Sequence, residues 1–195
     1  MLVIHSDFGD TDTKVLSTMW EGIDCKVIRV HQHSTMKDKE EMLKALQEEK
    51  DTVLFCGHGS GGGLWTPNIG ARGKDSWAGF AFSYKDIPYV KAKNIIGIWC
   101  HASDFSRTFD VRGFYSSMFI SNSGEAHFEG VEGVDDSAIT KSEKLFCKRV
   151  NKLIKAKTPL SEWVGILQGY TPSNAVEEFN YNGLYYHEWK INKDI

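Results

Sequence analysis

Thr52-Val53-Leu54-Phe55-Cys56-Gly57-His58-Gly59-Ser60-Gly61-Gly62-Gly63 is the stretch that decides how this chain reads. From Thr52 to Cys56 the residues are β-branched or apolar, the composition of a strand. They lack polar–apolar alternation, so both faces of the strand are expected to be covered. The run breaks at Gly57-His58-Gly59 and enters a glycine-rich loop. Further on, Asn94-Ile95-Ile96-Gly97-Ile98-Trp99 repeats the design and is followed by Cys100. In open parallel sheets ligands sit beyond the carboxyl ends of the strands. A histidine and a cysteine delivered there are the parts of a Cys–His nucleophilic site.

Working outward, Leu2-Val3-Ile4 and Lys26 to Val30 read as two earlier strands. A helix is expected over 12–22, with Val15, Leu16, Met19 and Trp20 on one stripe. Another is expected over 37–50, capped by Ser34 or Thr35, with Met42, Leu43 and Leu46 inward. The segment 57–78 reads as a glycine-rich excursion, with Gly61 to Gly63 a mobile loop flanking the substrate, and Trp77 to Tyr84 as a small strand or hairpin. After Cys100 the segment 104–112 reads as polar, and Phe114 to Ser121 as a fifth strand. Gly124, Gly130 and Gly133 mark a loop region. Asp135 or Asp136 starts a helix reaching Lys157, with Ile139, Phe146, Val150, Leu153 and Ile154 buried. Thr158-Pro159 starts another, ended by Gly169. The aromatic tail, Phe179 to Trp189, reads as irregular. Strand and helix alternate, which predicts an α/β fold: a doubly wound, mostly parallel sheet flanked by helices, with the strand order 2-1-3-4.

The chain has 195 residues, read as one domain over 1–195. Its 41% hydrophobic and 25% charged residues and formal net charge of −3 give no support to nucleic-acid or membrane binding. No apolar run reaches the ~20 residues that span a bilayer, and no signal peptide precedes Asp7, so a cytoplasmic location is expected. Cys25, Cys56, Cys100 and Cys147 are scattered, which does not suggest a disulfide framework.

The apolar strand ending in His58-Gly59, and the later one ending in Cys100, resemble the His-Gly and Cys motifs of the clan CD cysteine peptidases, the group of caspases, legumains, gingipains and clostripain-like enzymes. The resemblance covers roughly residues 1–121. It implies a caspase-like three-layer sandwich and a peptidase acting on a protein or peptide substrate without a cofactor. It makes Cys100 the nucleophile, His58 the general acid/base and Gly59 an oxyanion donor. Trp99 departs from the small residue the relatives carry before the nucleophile, which keeps a catalytically inactive interaction module as an alternative.

The family selects mainly the residue before the cut bond. In the expected strand order the turn after the first strand adjoins His58, and it holds Asp7 and Asp10; an acidic wall would favour a basic residue through a charge-assisted contact. Asp7 is the preferred candidate, and the segment 116–125, with Ser116 and Ser117, is the other expected wall. A different use of the same atoms would gather Cys56, His58, Cys100 and His101 around zinc. A phosphate-binding loop is excluded because no Gly-Lys-Ser/Thr ends the glycine run. Ser60 lacks the glycine two residues upstream that a nucleophile elbow needs.

Overall fold

The computed structural model describes residues 1–68 and 75–188. The chain enters through β1 (Leu2–Ser6), turns into a short helix α1 (Thr11–Val15), and returns in β2 (Lys26–Val30). The helix expected over 12–22 is broken: α1 passes into a 3₁₀ turn over Leu16–Trp20, although Leu16, Met19 and Trp20 are buried as the stripe predicts. Helix α2 (Met36–Glu48) begins at Thr35, whose hydroxyl accepts from the Asp38 amide while the Asp38 carboxylate accepts from the Thr35 amide. Then follow β3 (Thr52–Cys56), the short strands β4 (Gly59–Ser60), β5 (Gly63–Trp65) and β6 (Phe80–Ser83), and β7 (Asn94–Ile98). After them come α3 (Ala102–Phe109), β8 (Gly113–Ser116), α4 (Ser123–Phe128), α5 (Asp136–Lys155), α6 (Leu160–Gln168), α7 (Ala175–Asn182) and β9 (Leu184–His187).

The central sheet has six strands in the order β2-β1-β3-β7-β8-β9, all parallel except β9, which is antiparallel to β8. Sheet growth reverses between β1 and β3, so their carboxyl ends flank the topological switch point. Both faces are covered, as the unbroken apolar runs require. On one face Leu54, Cys56, Ile96 and Ile98 meet Leu16, Met19, Phe146, Val150 and Trp163 from the 3₁₀ turn, α5 and α6. On the other, Val53, Phe55 and Trp99 meet Met42, Leu46 and Phe105 from α2 and α3. A smaller cluster of Ile120, Ala126, Ile139 and Val176 ties the segment after β8 to α4, α5 and α7. The Asn180 side chain of α7 clamps that segment, accepting from the Ile120 amide at 2.7 Å and donating to its carbonyl at 2.9 Å.

Several sequence expectations change. The glycine run is not a loose loop: β4, β5 and β6 form a second, three-stranded sheet. Gly63 is forced by the approach of that sheet, since a Cβ there would stand 2.1 Å from the Phe82 carbonyl oxygen at a φ of +138°. The polar segment after Cys100 is α3, the region of Gly124 holds α4, and the aromatic tail contains α7 and β9. The fifth strand stops at Ser116 rather than Ser121. Pro159 is the N-cap of α6, and Gly169 ends it in a right-handed conformation. Trp189 and the part of the excursion at 69–74 lie outside the described residues.

Candidate functional site

Gly57 lets the chain leave the sheet after β3. Its φ is +141°, and a Cβ would come within 2.6 Å of the Ser6 carbonyl oxygen, so only glycine passes beside β1 here. This turn presents His58 beyond the strand. His58 Nε2 lies 3.0 Å from Asp10 Oδ2, and the Phe8 ring packs edge-on against the imidazole with centroids 4.8 Å apart. Asp10 is itself the N-cap of α1, accepting from the Thr13 amide at 2.7 Å and the Thr13 hydroxyl at 2.6 Å. Burial works against its carboxylate, but the bonds from Thr13 and His58 outweigh burial and hold its pKa below the ordinary value. A fixed carboxylate on Nε2 orients the ring and leaves Nδ1 as the nitrogen for a second partner.

Cys100 follows β7 on the neighbouring strand. Its side chain packs against the helical face of α5, whereas Trp99 points to the opposite face, as strand alternation expects. The Cys100 thiol donates to the Phe119 carbonyl at 3.6 Å. Burial pushes its pKa up to about 11, and the charges of Glu125 and Glu129 push the same way. In this conformation the sulfur is therefore a thiol at neutral pH. The Cys100 amide makes no bond to a protein oxygen among the described residues.

Gly59 adjoins both. The Trp65 amide donates to the His58 carbonyl at 2.9 Å, which leaves the next pair, Gly59 with Leu64, in a non-hydrogen-bonded position. The Gly59 N–H thus turns away from β5. Its lack of a side chain has a packing cause: a Cβ would stand 2.2 Å from Trp99 Cδ1. Trp99 is the wedge that joins the two sheets, and its Nε1 donates to the Ser60 carbonyl at 3.1 Å.

Two cavities meet at His58 and Cys100, which line both. The outer one is a cleft of about 280 Å³, with Trp65 on one wall, Met118 and Phe128 on the other, and Glu125 and Glu129 at its rim. Phe128 is 86% exposed there. The inner one, about 20 Å³, lies behind the thiol and is bounded by Asp12, Phe119, Ser121 and Glu143. Glu143 is 3% exposed and its Oε2 has no hydrogen-bond partner. Burial raises its pKa to about 9, helped by Asp12, Glu125 and Asp10.

The predicted selectivity residues are distributed differently. Asp7 lines neither cavity; its carboxylate is 3.3 Å from Arg29 Nη1 and accepts from the Gly9 amide at 2.9 Å, beside a separate hollow. Asp10 is at the site, but on the imidazole. Ser116 is buried, its hydroxyl donating to the Trp99 carbonyl at 2.9 Å and accepting from the Trp99 amide at 3.1 Å. The Ser117 hydroxyl lies 2.7 Å from that of Ser103. Ser116 thus fixes the end of β7 and Ser117 meets α3, and neither lines the cleft. The zinc set does not assemble: Cys56 is fully buried and His101 is turned to Asp104, 3.1 Å away. Among the described residues no group of His, Cys, Asp and Glu is placed to hold a metal ion.

Phe128 and Glu143 were not singled out by sequence, whereas Met118 and Glu125 fall in the segment 116–125 expected as a wall, and both line the cleft. Glu143 could have been, because it falls four residues after Ile139 and three before Phe146, on the stripe that α5 buries. No protein-family model, curated protein or solved structure matches the chain.

Proposed function

We propose that this chain is a caspase-like cysteine peptidase of the clan CD type, cutting protein or peptide substrates after a basic residue. The observation that carries the reading is the convergence of an Asp10-held His58 and of Cys100, from the carboxyl ends of adjacent strands, on one cleft. A substrate carbonyl carbon entering the cleft is attacked by the Cys100 sulfur, whose proton passes to His58. The amides of Cys100 and Gly59, neither of which bonds a protein oxygen among the described residues, donate to the oxygen as it becomes negative. Collapse of the tetrahedral adduct breaks the C–N bond, and His58 gives its proton to the leaving amine. Water, deprotonated by His58, then releases the acyl group and restores the thiol.

The raised thiol pKa and the contact to Phe119 favour a second reading, an inactive module that binds peptides without cutting them. Both are tested by incubating the protein with iodoacetamide and with peptide acyloxymethyl ketones, then locating adducts by mass spectrometry. A peptidase gives rapid peptide-dependent labelling of Cys100 that His58→Ala abolishes. Slow, equal labelling of all four cysteines overturns the peptidase reading.

A further inference from the structure

We propose that the inner cavity behind Cys100, walled by Asp12, Ser121 and Glu143, is a receptor for a primary ammonium group. It thereby selects lysine over arginine as the residue before the cut bond; that second statement rests on the peptidase reading, the first does not.

The argument starts from a deficit of donors. Ser121 Oγ lies 3.1 Å from Asp12 Oδ2 and 3.0 Å from Glu125 Oε2, but a hydroxyl has one proton and serves one carboxylate at a time. Glu125 also accepts from the Ser121 amide at 2.8 Å, and Asp12 from the Asn122 side chain at 3.3 Å. Glu143 receives nothing on Oε2. Among the described residues no lysine or arginine forms an ion pair with Asp12, Glu125 or Glu143. Asp10 adds a fourth carboxyl, occupied by His58. A buried carboxyl oxygen without a partner is costly, and native structures retain few of them. Glu143 is one of the residues around a space that His58 and Cys100 also line. A positive, donor-rich group is the ligand whose chemistry closes this deficit.

Size then selects among cations. A void of about 20 Å³ exceeds the 10–15 Å³ that one water-sized group requires by only a little. An ammonium is about that size and carries three donors, which matches the oxygens of Asp12, Glu143 and Ser121. A planar guanidinium carries three nitrogens on one carbon and needs a wider slot. Cys100 and His58 line both the cavity and the cleft, so a residue whose backbone carbonyl sits at the sulfur lies beside the cavity. When the ammonium arrives, Glu143 gives up its proton to solvent and the pair is neutral overall.

The test measures binding apart from catalysis. Nα-acetyl-lysine amide, Nα-acetyl-arginine amide and Nα-acetyl-norleucine amide are titrated against the full chain by ligand-observed NMR. The lysine amide should bind at least about tenfold tighter than the uncharged norleucine amide, with the arginine amide between them. Glu143→Gln should remove that preference while keeping the size of the side chain. Asp12→Asn, which leaves the buried Glu143 in place, should weaken it. Equal binding of lysine and norleucine amides, or an unchanged lysine preference in both variants, overturns the receptor. Peptide acyloxymethyl ketones ending in lysine, arginine or norleucine complete the test. If all three label Cys100 equally, the peptidase reading stands and the lysine pocket falls. If none labels Cys100 while the lysine amide still binds preferentially, the receptor stands and the peptidase reading falls.

Discussion

The two ends of the central sheet hold cavities of opposite character. At the amino ends of β3 and β7, beside Met1, Thr52, Asn94, Leu160 and Trp163, there is a hollow of about 450 Å³. Three of its polar groups are paired within the fold: the Met1 amine with Glu49 at 3.4 Å, Asn94 donating to Thr52 at 3.4 Å, and the Trp163 indole donating to the Thr158 carbonyl at 3.0 Å. At the carboxyl ends the inner cavity is about 20 Å³, yet it borders a thiol, an oriented imidazole and an unpartnered carboxyl. Volume therefore ranks the two ends one way and unsatisfied chemistry ranks them the other. The second ranking agrees with the general placement of sites beyond strand carboxyl ends.

This contrast can be broken most sharply at the imidazole. If the carboxyl end is the reactive one, His58→Ala lowers the rate of Cys100 labelling by a peptide acyloxymethyl ketone about 10³-fold. In the same assay Leu160→Ala, at the amino end, changes it less than about twofold. Comparable losses from both would dissolve the distinction.

Next in size is the pH response of Glu143. Its folded pKa, about 9, lies above the ordinary 4.5. Between those values the folded protein keeps a proton that the unfolded chain releases, so this group's favourable share of stability is full below pH 4.5 and declines as pH rises toward 9. Glu143→Gln removes that decline, and relative to pH 5 it should gain about 4 kcal/mol over the parent at pH 8. Urea unfolding at both pH values measures it; parallel curves would show that Glu143 is ionised in the fold.

A smaller effect is expected at the junction of the two sheets. Gly59→Ala drives a methyl group into the Trp99 ring and should cost about 2 kcal/mol in urea unfolding. Gly59→Ala combined with Trp99→Leu should cost less than the sum of the two single changes, because the clash with the ring is gone and only that with the Gly63 carbonyl oxygen at 2.7 Å is left. Smallest of all, Phe128→Ala leaves stability within about 0.5 kcal/mol, since the ring is 86% exposed. On the peptidase reading it should nonetheless weaken the binding of peptides that carry an apolar residue beside the cut bond.

Much of this frame is written in local pattern. The strands Lys26–Val30 and Thr52–Cys56 coincide with their apolar runs, and Asp135 caps α5 where its carboxylate can reach the Ala138 amide, at 2.8 Å. The elements that escaped notice have weaker stripes. In α3 only Ala102 and Phe105 are buried apolar residues, between serines that are buried as well. Helices α4 and α7 each begin with an asparagine followed three residues later by glutamate, Asn122 with Glu125 and Asn174 with Glu177, a start signal that glycines and aromatic residues obscured. At the site, His58 and Cys100 were legible because each ends a strand. Asp10 was legible as a neighbour of His58 but not as its partner, since that depends on the α1 cap. Asp12 and Glu143 are far apart in sequence, and the packing of α5 against α1 and the 3₁₀ turn brings them together.

The Asn180 clamp on Ile120 has a bearing on how the protein is made. The backbone that carries Phe119, and with it the carbonyl facing the Cys100 thiol, is fixed by a side chain 60 residues downstream. Ser117 is likewise tied through its amide to Gly183 at 2.9 Å. During synthesis the strands bearing His58 and Cys100 leave the ribosome well before Asn180 and Gly183 do. The nascent chain therefore holds its sulfur and imidazole without a finished wall around them until Asn180 and Gly183 have emerged.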